Sequence, residues 1–250
     1  MRRLTLSTDA WPEHPGLDTG ISHALVREVG AGMSPETLRL HRTPPIVAFG
    51  RRDAVSGGYP AAVAASRQLG FLPIERLAGG RAAVFHEETL AFAWAQPAAE
   101  PRREVEGRFL QMAEIVAEAL GSLGVDARIG PVPGEYCPGS YSVNAAGHTK
   151  LMGVGQRLVR GAAHVGGVVV AGDADRIREV LVPVYEALGI EWRPETVGSV
   201  AAEVEGISID DVAGALRSAF ERRFEVIDVP ISPALVDAGR ALITSHLPPE

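Results

Sequence analysis

Apolar and polar positions alternate with a period of two in several short stretches of the chain and with a helical period in the longer ones. Met1 to Leu6 predicts an opening strand. Thr37 to His41 and Pro45 to Phe49 predict two strands joined by a turn at Thr43-Pro44. Residues 60–69 carry a helical pattern that Gly70 ends. Phe71 to Arg76 predicts the next strand, a Gly-rich turn follows, and Leu90 to Ala95 predicts a strand beyond it. Phe109, Met112, Ile115, Val116 and Leu120 recur at helical spacing, which predicts a helix from Val105 to Leu123 closed by Gly124. Residues 130–140 are rich in Pro and Gly and predict a loop. Leu158 to Ala171 is largely apolar and densest towards its end, the pattern of a buried central strand. Helical patterns follow near 173–188, 208–222 and 233–246.

Strands spread from residue 4 to residue 170 favour an α/β fold with one mixed β-sheet flanked by helices. A single domain over residues 1–250 is expected, with the helical tail from about 173 open to forming a small subdomain. A hydrophobic fraction of 46% against 22% charged residues is enough to build a core. No apolar run approaches the ~20 residues that span a bilayer. No long apolar segment follows the first arginines, and one cysteine allows no intrachain disulfide, so the cytoplasm is the expected location. A formal net charge of -7 argues against general nucleic-acid binding.

Composition then points to one position. Lys and Arg total 24, and Lys150 is the only lysine. A chain that uses arginine for nearly every cation keeps lysine where a guanidinium does not serve, because the amine is compact and exchanges protons. Cys137, the only cysteine, lies 13 residues earlier. It sits in Gly134-Glu135-Tyr136-Cys137-Pro138-Gly139-Ser140-Tyr141, a Pro/Gly-bounded loop where a thiolate beside a cation can act as a nucleophile. Two further segments concentrate unusual residues. Arg76-Leu77-Ala78-Gly79-Gly80-Arg81-Ala82, with His86 beyond it, places a glycine pair between arginines, suited to holding an anionic or carbonyl group. Gly147 to Arg157 surrounds Lys150 with small and apolar residues, and Arg160 and His164 follow. The plainer readings are a tight Gly-Gly hairpin, an inert cysteine and a β-hairpin with Lys150 on its solvent face. Seven histidines are scattered without metal-ligand spacing, so no metal site is expected.

In this order the three segments resemble the lipoate–protein ligase A, octanoyltransferase and biotin ligase superfamily, over roughly residues 15 to 190. Arg76 to Ala82 is similar to the family's Gly-Gly loop, and Phe49-Gly50-Arg51 to a Gly-Arg that ends an earlier strand. Thr149 to Arg157 is similar to the stretch that carries the family's active-site lysine, and Glu135 to Tyr141 to the loop of the cysteine-dependent octanoyltransferases. Leu77 stands where the family's loop has a second arginine, and Val165-Gly166-Gly167 stands where the ATP-dependent ligases have His-Gly-Thr.

The resemblance implies an acyl tunnel between the two loops and an acyltransferase of protein lipoylation. Cys137 would form an acyl thioester, and Lys150 would orient or polarise the acyl carbonyl. Arg76, Gly79, Gly80, Arg81, His86, Gly139, Gly153, Gln156, Arg157 and His164 are the expected substrate-binding residues. The implied partners are an octanoyl donor, either acyl carrier protein or a glycine-cleavage H-type lipoyl protein, and a lipoyl-domain acceptor. No cofactor is needed for transfer. The alternatives are a lipoate–protein ligase, which would need ATP, and a non-catalytic binding module of the same fold.

Overall fold

The computed structural model describes residues 1–14 and 16–249. Its strands are β1 (Arg2–Ser7), β2 (Thr37–Arg42), β3 (Ile46–Phe49), β4 (Leu72–Glu75), β5 (Ala83–Phe85), β6 (Thr89–Pro97), β7 (Ala127–Ile129), β8 (Val143–Ala145), β9 (Thr149–Val159), β10 (Ala162–Val170) and β11 (Phe224–Asp228). Its α-helices are α1 (Leu17–Gly30), α2 (Arg51–Ala54), α3 (Tyr59–Gln68), α4 (Val105–Ser122), α5 (Ala174–Ala187), α6 (Val200–Glu203), α7 (Ile209–Glu221) and α8 (Pro233–Arg240). Eight strands form a mixed sheet in the order β11-β1-β2-β6-β10-β9-β8-β7, and β4-β3-β5 form a second, smaller sheet.

Strand alternation divides the large sheet into two unlike faces. Leu38, Leu40, Leu90, Trp94, Val165 and Val169 point to one side and build the main core with α4 and α7. Trp94 stacks edge-on against Phe220 and Phe224 there and gives its indole N–H to buried Glu36 at 3.0 Å. The other face carries Ala93, Ala95, Ala162 and Gly166 together with Arg39, His41 and His164, and packs under α1. Small side chains there leave space between sheet and helix. The small sheet closes over that space, with its outer face packed on α3 and α5.

The mixed sheet with flanking helices agrees with the sequence pattern, and several features differ from it. Thr37–Arg42 and Ile46–Phe49 are strands but do not pair: the turn at Thr43-Pro44 passes the chain from one sheet to the other. Leu158 to Ala171 is not one strand, because Arg160-Gly161 turns β9 into its antiparallel neighbour β10. The tail after 172 is not purely helical, since β11 adds to β1 in parallel at the sheet edge. The pattern at 233–246 splits into α8 and a 3-10 turn, Ile243–His246.

Helix α1, absent from the expected elements, fixes the wall of the space described above. It crosses α8 so closely that a Cβ on Gly20 would stand 2.3 Å from the Gly239 carbonyl oxygen. Gly20→Ala is therefore expected to lower stability by about 1–3 kcal/mol. A urea melt checks this, and an unchanged midpoint would show that the two helices separate freely.

Candidate active site

Lys150 enters β9 with its side chain aimed into the protein, 1% exposed. Its ammonium donates to Glu135 Oε1 at 3.1 Å, to the Tyr136 carbonyl at 3.0 Å and to the Cys137 carbonyl at 2.8 Å. It also stands 4.8 Å over the Tyr136 ring centroid. All three of its N–H donors are thereby engaged within the protein. A planar guanidinium has neither the size nor the tetrahedral donor set for this place, which explains a lysine in an arginine-rich chain. The solvent-facing hairpin is ruled out by this burial.

Glu135 organises the loop that carries the cysteine. Its carboxylate accepts from Val132 N at 2.9 Å, Gly139 N at 3.1 Å and Ser142 Oγ at 2.7 Å, as well as from Lys150. Such a buried carboxylate tolerates desolvation because every approach to it is a donor.

Cys137 sits at the turn of this loop with φ 42, a left-handed conformation that a non-glycine residue holds only when its neighbours enforce it. Both of its peptide groups are clamped. The carbonyl takes the Lys150 ammonium, and the N–H donates to the Tyr185 hydroxyl at 2.9 Å. That hydroxyl in turn donates to the Ala82 carbonyl at 3.0 Å. The half-buried sulfur accepts from Arg76 Nη2 and from the Arg81 backbone N–H, each at 3.2 Å. Burial pushes the thiol up, but the Arg76 and Lys150 charges and the Arg81 N–H outweigh it and hold it below the ordinary cysteine value.

The Gly-Gly loop makes this approach possible. Gly80 has φ 116, and a Cβ there would stand 1.8 Å from Arg76 Nη2 and 2.9 Å from the Cys137 sulfur. Arg81 turns its guanidinium away to Asp53 at 3.1 Å, a wholly buried carboxylate that also caps Gly50 N at 3.0 Å. The loop and the Phe49-Gly50-Arg51 segment are thus tied together beside the sulfur.

Gly79, Gly80, Gly139, Lys150, Val154 and Gly155 border an open cavity around Cys137. Phe109 and Tyr141 also line it, stacked 5.4 Å apart. Behind the loop lies an apolar channel between the two sheets, with Ile46, Ala48, Ile74 and Phe85 on one side and Ala91, Ala93, Gly166 and Gly167 on the other. Arg76 and Ala78 line this channel, so the 76–80 segment borders both spaces.

The expected site residues do not all converge. Arg76, Gly79, Gly80, Arg81 and Gly139 stand with Cys137 and Lys150. Gly153 lies under the lysine, a Cβ there being 3.3 Å from Lys150 Cε. Gln156 borders the cavity, but its amide is spent on holding α4, accepting from Arg108 Nε at 3.0 Å and donating to the Val105 carbonyl at 2.7 Å. His164 lines the channel away from the sulfur. His86 lines neither space: it is buried at the β5–β6 turn, where its Nδ1 accepts from Glu88 N at 3.2 Å. Arg157 shares the sheet face of Gly153 and Gly155 but lies further along β9, where it is exposed near His23 and His246. Among the described residues, no group of His, Cys, Asp and Glu is placed to hold a metal ion. Three positions that hold the Cys137 loop and its neighbours in place went unanticipated. Glu135 lies beside the cysteine in sequence, whereas Asp53 and Tyr185 carry no local signal.

A thiol of lowered pKa in a cavity whose 76–80 wall also borders an apolar channel is suited to acyl groups, and the fold agrees with that of solved lipoate protein ligases. A lipoate-protein ligase A bound with ATP superposes with a TM-score of 0.77 at 22% identity, covering 97% of this chain and 94% of the other. The bi-partite lipoate protein ligase of Thermoplasma acidophilum superposes with 0.78 at 21% identity, covering 98% and 93%. The lipoyl protein ligase A/B catalytic domain model matches residues 16–221, and the chain belongs to that family. The chain is 28% identical to the octanoyl-[GcvH]:protein N-octanoyltransferase of Geobacillus kaustophilus over 207 residues, 78% of this chain and 73% of the relative. It is 30% identical to the protein of the same name from Anoxybacillus flavithermus over 142 residues, 57% and 50% of the two chains.

Because Arg76 is the strongest of the influences that lower the thiol pKa, Arg76→Met is expected to move the midpoint of Cys137 alkylation by iodoacetamide to higher pH. An unmoved midpoint would assign the activation elsewhere. Gly80→Ala is expected to slow the same alkylation at neutral pH by about tenfold, because its Cβ displaces the guanidinium from the sulfur. Circular dichroism serves as the control for folding.

Proposed function

We propose that the chain moves an octanoyl group from a donor protein to the lysine of a lipoyl domain through a thioester on Cys137. One observation carries this reading: the Cys137 thiol, held below its usual pKa, lines an open cavity, and the 76–80 segment beside it also borders an apolar channel between the two sheets. The cavity admits a carrier lysine, and the channel accommodates an alkyl chain away from water.

The thiolate attacks the donor's acyl carbonyl, forming the C–S bond. The bond from that carbonyl to the donor's own heteroatom breaks, and the heteroatom departs with a proton taken from solvent on the open side. The acceptor lysine, as a neutral amine, then attacks the thioester: the C–N bond forms, the C–S bond breaks, and the amine's surplus proton passes to solvent on the open side. Lys150 contributes here through its charge and its grip on the Cys137 backbone, since its three donors are already engaged. Arg76 and the Arg81 N–H, which hold the sulfur before attack, are the donors nearest the carbonyl oxygen as charge moves onto it.

The names of the relatives favour an octanoylated H-type lipoyl protein as donor over acyl carrier protein. Neither the attack nor the transfer requires ATP. The two steps also let donor and acceptor dock in turn on one cavity.

Incubation with octanoylated H-type protein and a lipoyl-domain acceptor, without ATP, is expected to give octanoylated acceptor. The enzyme should also show a hydroxylamine-sensitive adduct of octanoyl mass. Cys137→Ser is expected to remove that adduct and to lower kcat/KM roughly a thousandfold or more. Full activity of the serine variant with ATP and free octanoate would replace the transferase reading with that of a ligase.

A further inference from the structure

The cysteine loop, residues 132–142, and the Gly-Gly loop, residues 76–82, are each anchored separately on β9. Lys150 holds the Tyr136 and Cys137 carbonyls, and the Gly79 N–H donates to the Gln156 carbonyl at 3.3 Å. Two hydrogen bonds from the Gly-Gly loop end on the sulfur, from Arg76 Nη2 and from the Arg81 N–H. Among the described residues, the one remaining hydrogen-bonded bridge between the loops runs through the Tyr185 hydroxyl. It accepts the Cys137 N–H at 2.9 Å and donates to the Ala82 carbonyl at 3.0 Å. Ala82 directly follows Arg81, whose own N–H faces the sulfur.

These bridges respond differently to acylation. A thiolate is a charged acceptor and holds both of its donors strongly. A thioester sulfur carries no charge and accepts weakly, so the first two bridges loosen once the acyl group is in place. The Tyr185 bridge joins backbone to backbone and does not involve the sulfur. Tyr185 is 1% exposed, so solvent does not compete for its hydroxyl. Burial, and after it the Cys137 charge, raises its pKa well above the ordinary tyrosine value. The hydroxyl therefore keeps its proton and acts as a tie, not as an acid or base.

We propose that Tyr185 is a positioning residue for the second half of the reaction: its hydroxyl keeps the Arg81 N–H aimed at the thioester carbonyl after the thiolate that held it is gone. In that half the acceptor amine attacks the carbonyl carbon and negative charge moves onto the oxygen. The C–S bond then breaks, and the amine loses its surplus proton to solvent. The Arg81 N–H must meet that oxygen already aligned, because no charged sulfur gathers it. In the first half the thiolate itself does the gathering. The inference rests on the thioester reading given above and assigns the second of its two steps a residue of its own.

Tyr185→Phe tests it, since it removes the hydroxyl and keeps the ring against Trp192, with centroids 5.2 Å apart. Rapid quenching with octanoylated H-type donor reads acylation of the enzyme by mass spectrometry. Adding a lipoyl domain to the isolated octanoyl-enzyme reads transfer. Transfer is expected to slow by roughly tenfold to a hundredfold and acylation by about threefold or less, so that octanoyl-enzyme accumulates. Trp192→Phe loosens the same packing and is expected to lower the melting midpoint without changing the ratio of the two rates. Equal slowing of both steps, or of neither, overturns the inference and leaves the thioester standing. Hydrogen exchange on the native enzyme decides independently should the variant fail to fold. The Cys137 amide is expected to stay as protected in the octanoyl-enzyme as in the free enzyme, and protection lost on acylation overturns the inference. Absence of any octanoyl adduct on the native enzyme would instead bring down the thioester reading, and this inference with it.

Discussion

Lys150 contributes one buried positive charge, and the geometry of the site follows from where its three protons go. Two go to consecutive backbone carbonyls, Tyr136 and Cys137, and one to Glu135, whose other acceptor capacity gathers the loop from Val132 to Ser142. A charge this deep is tolerated only with full compensation, and full compensation fixes the loop in one shape. That shape includes the left-handed turn at Cys137, which Tyr185 completes from the opposite side. The ammonium thus acts as a structural tie that also lends its field to the thiol. Its effect on the sulfur is indirect, whereas Arg76 touches the sulfur itself.

The same economy explains the glycines. Gly80 admits the guanidinium to the sulfur, and Gly155 lets the Gly-Gly loop rest on β9, where a Cβ would meet the Gly79 carbonyl at 2.9 Å. Gly166, one strand further on, leaves room for the His164 ring over the channel floor, where a Cβ would stand 2.4 Å from its Nε2. Side-chain removal along one path across a sheet makes a channel, while large residues on the opposite face keep the core filled.

Sequence pattern carried much of this. Local signals marked both loops, because a glycine pair between arginines and a cysteine between tyrosine and proline are unusual wherever they occur. The lone lysine was conspicuous for a compositional reason that the structure turned into a geometric one. Arg157 and His86 were drawn in by their nearness in sequence to such signals. Arg157 lies further along β9 than the site, near His23 and His246, and the β5–β6 turn carried His86 away from the sulfur.

The α/β character, most of the strands and helices, the loop nature of residues 130–140 and the chemical identity of the thiol and the amine were determined by the sequence alone, since each depends on neighbours a few positions away. Tertiary structure alone decided that β2 and β3 belong to different sheets, that β11 closes the far edge, and that α1 roofs the channel. It also brought Tyr185, Asp53 and Arg76 onto the Cys137 loop and its partners from 48, 84 and 61 residues' distance along the chain. Contacts of that separation depend on how whole sheets stack, and no local periodicity records which strand will lie beside which.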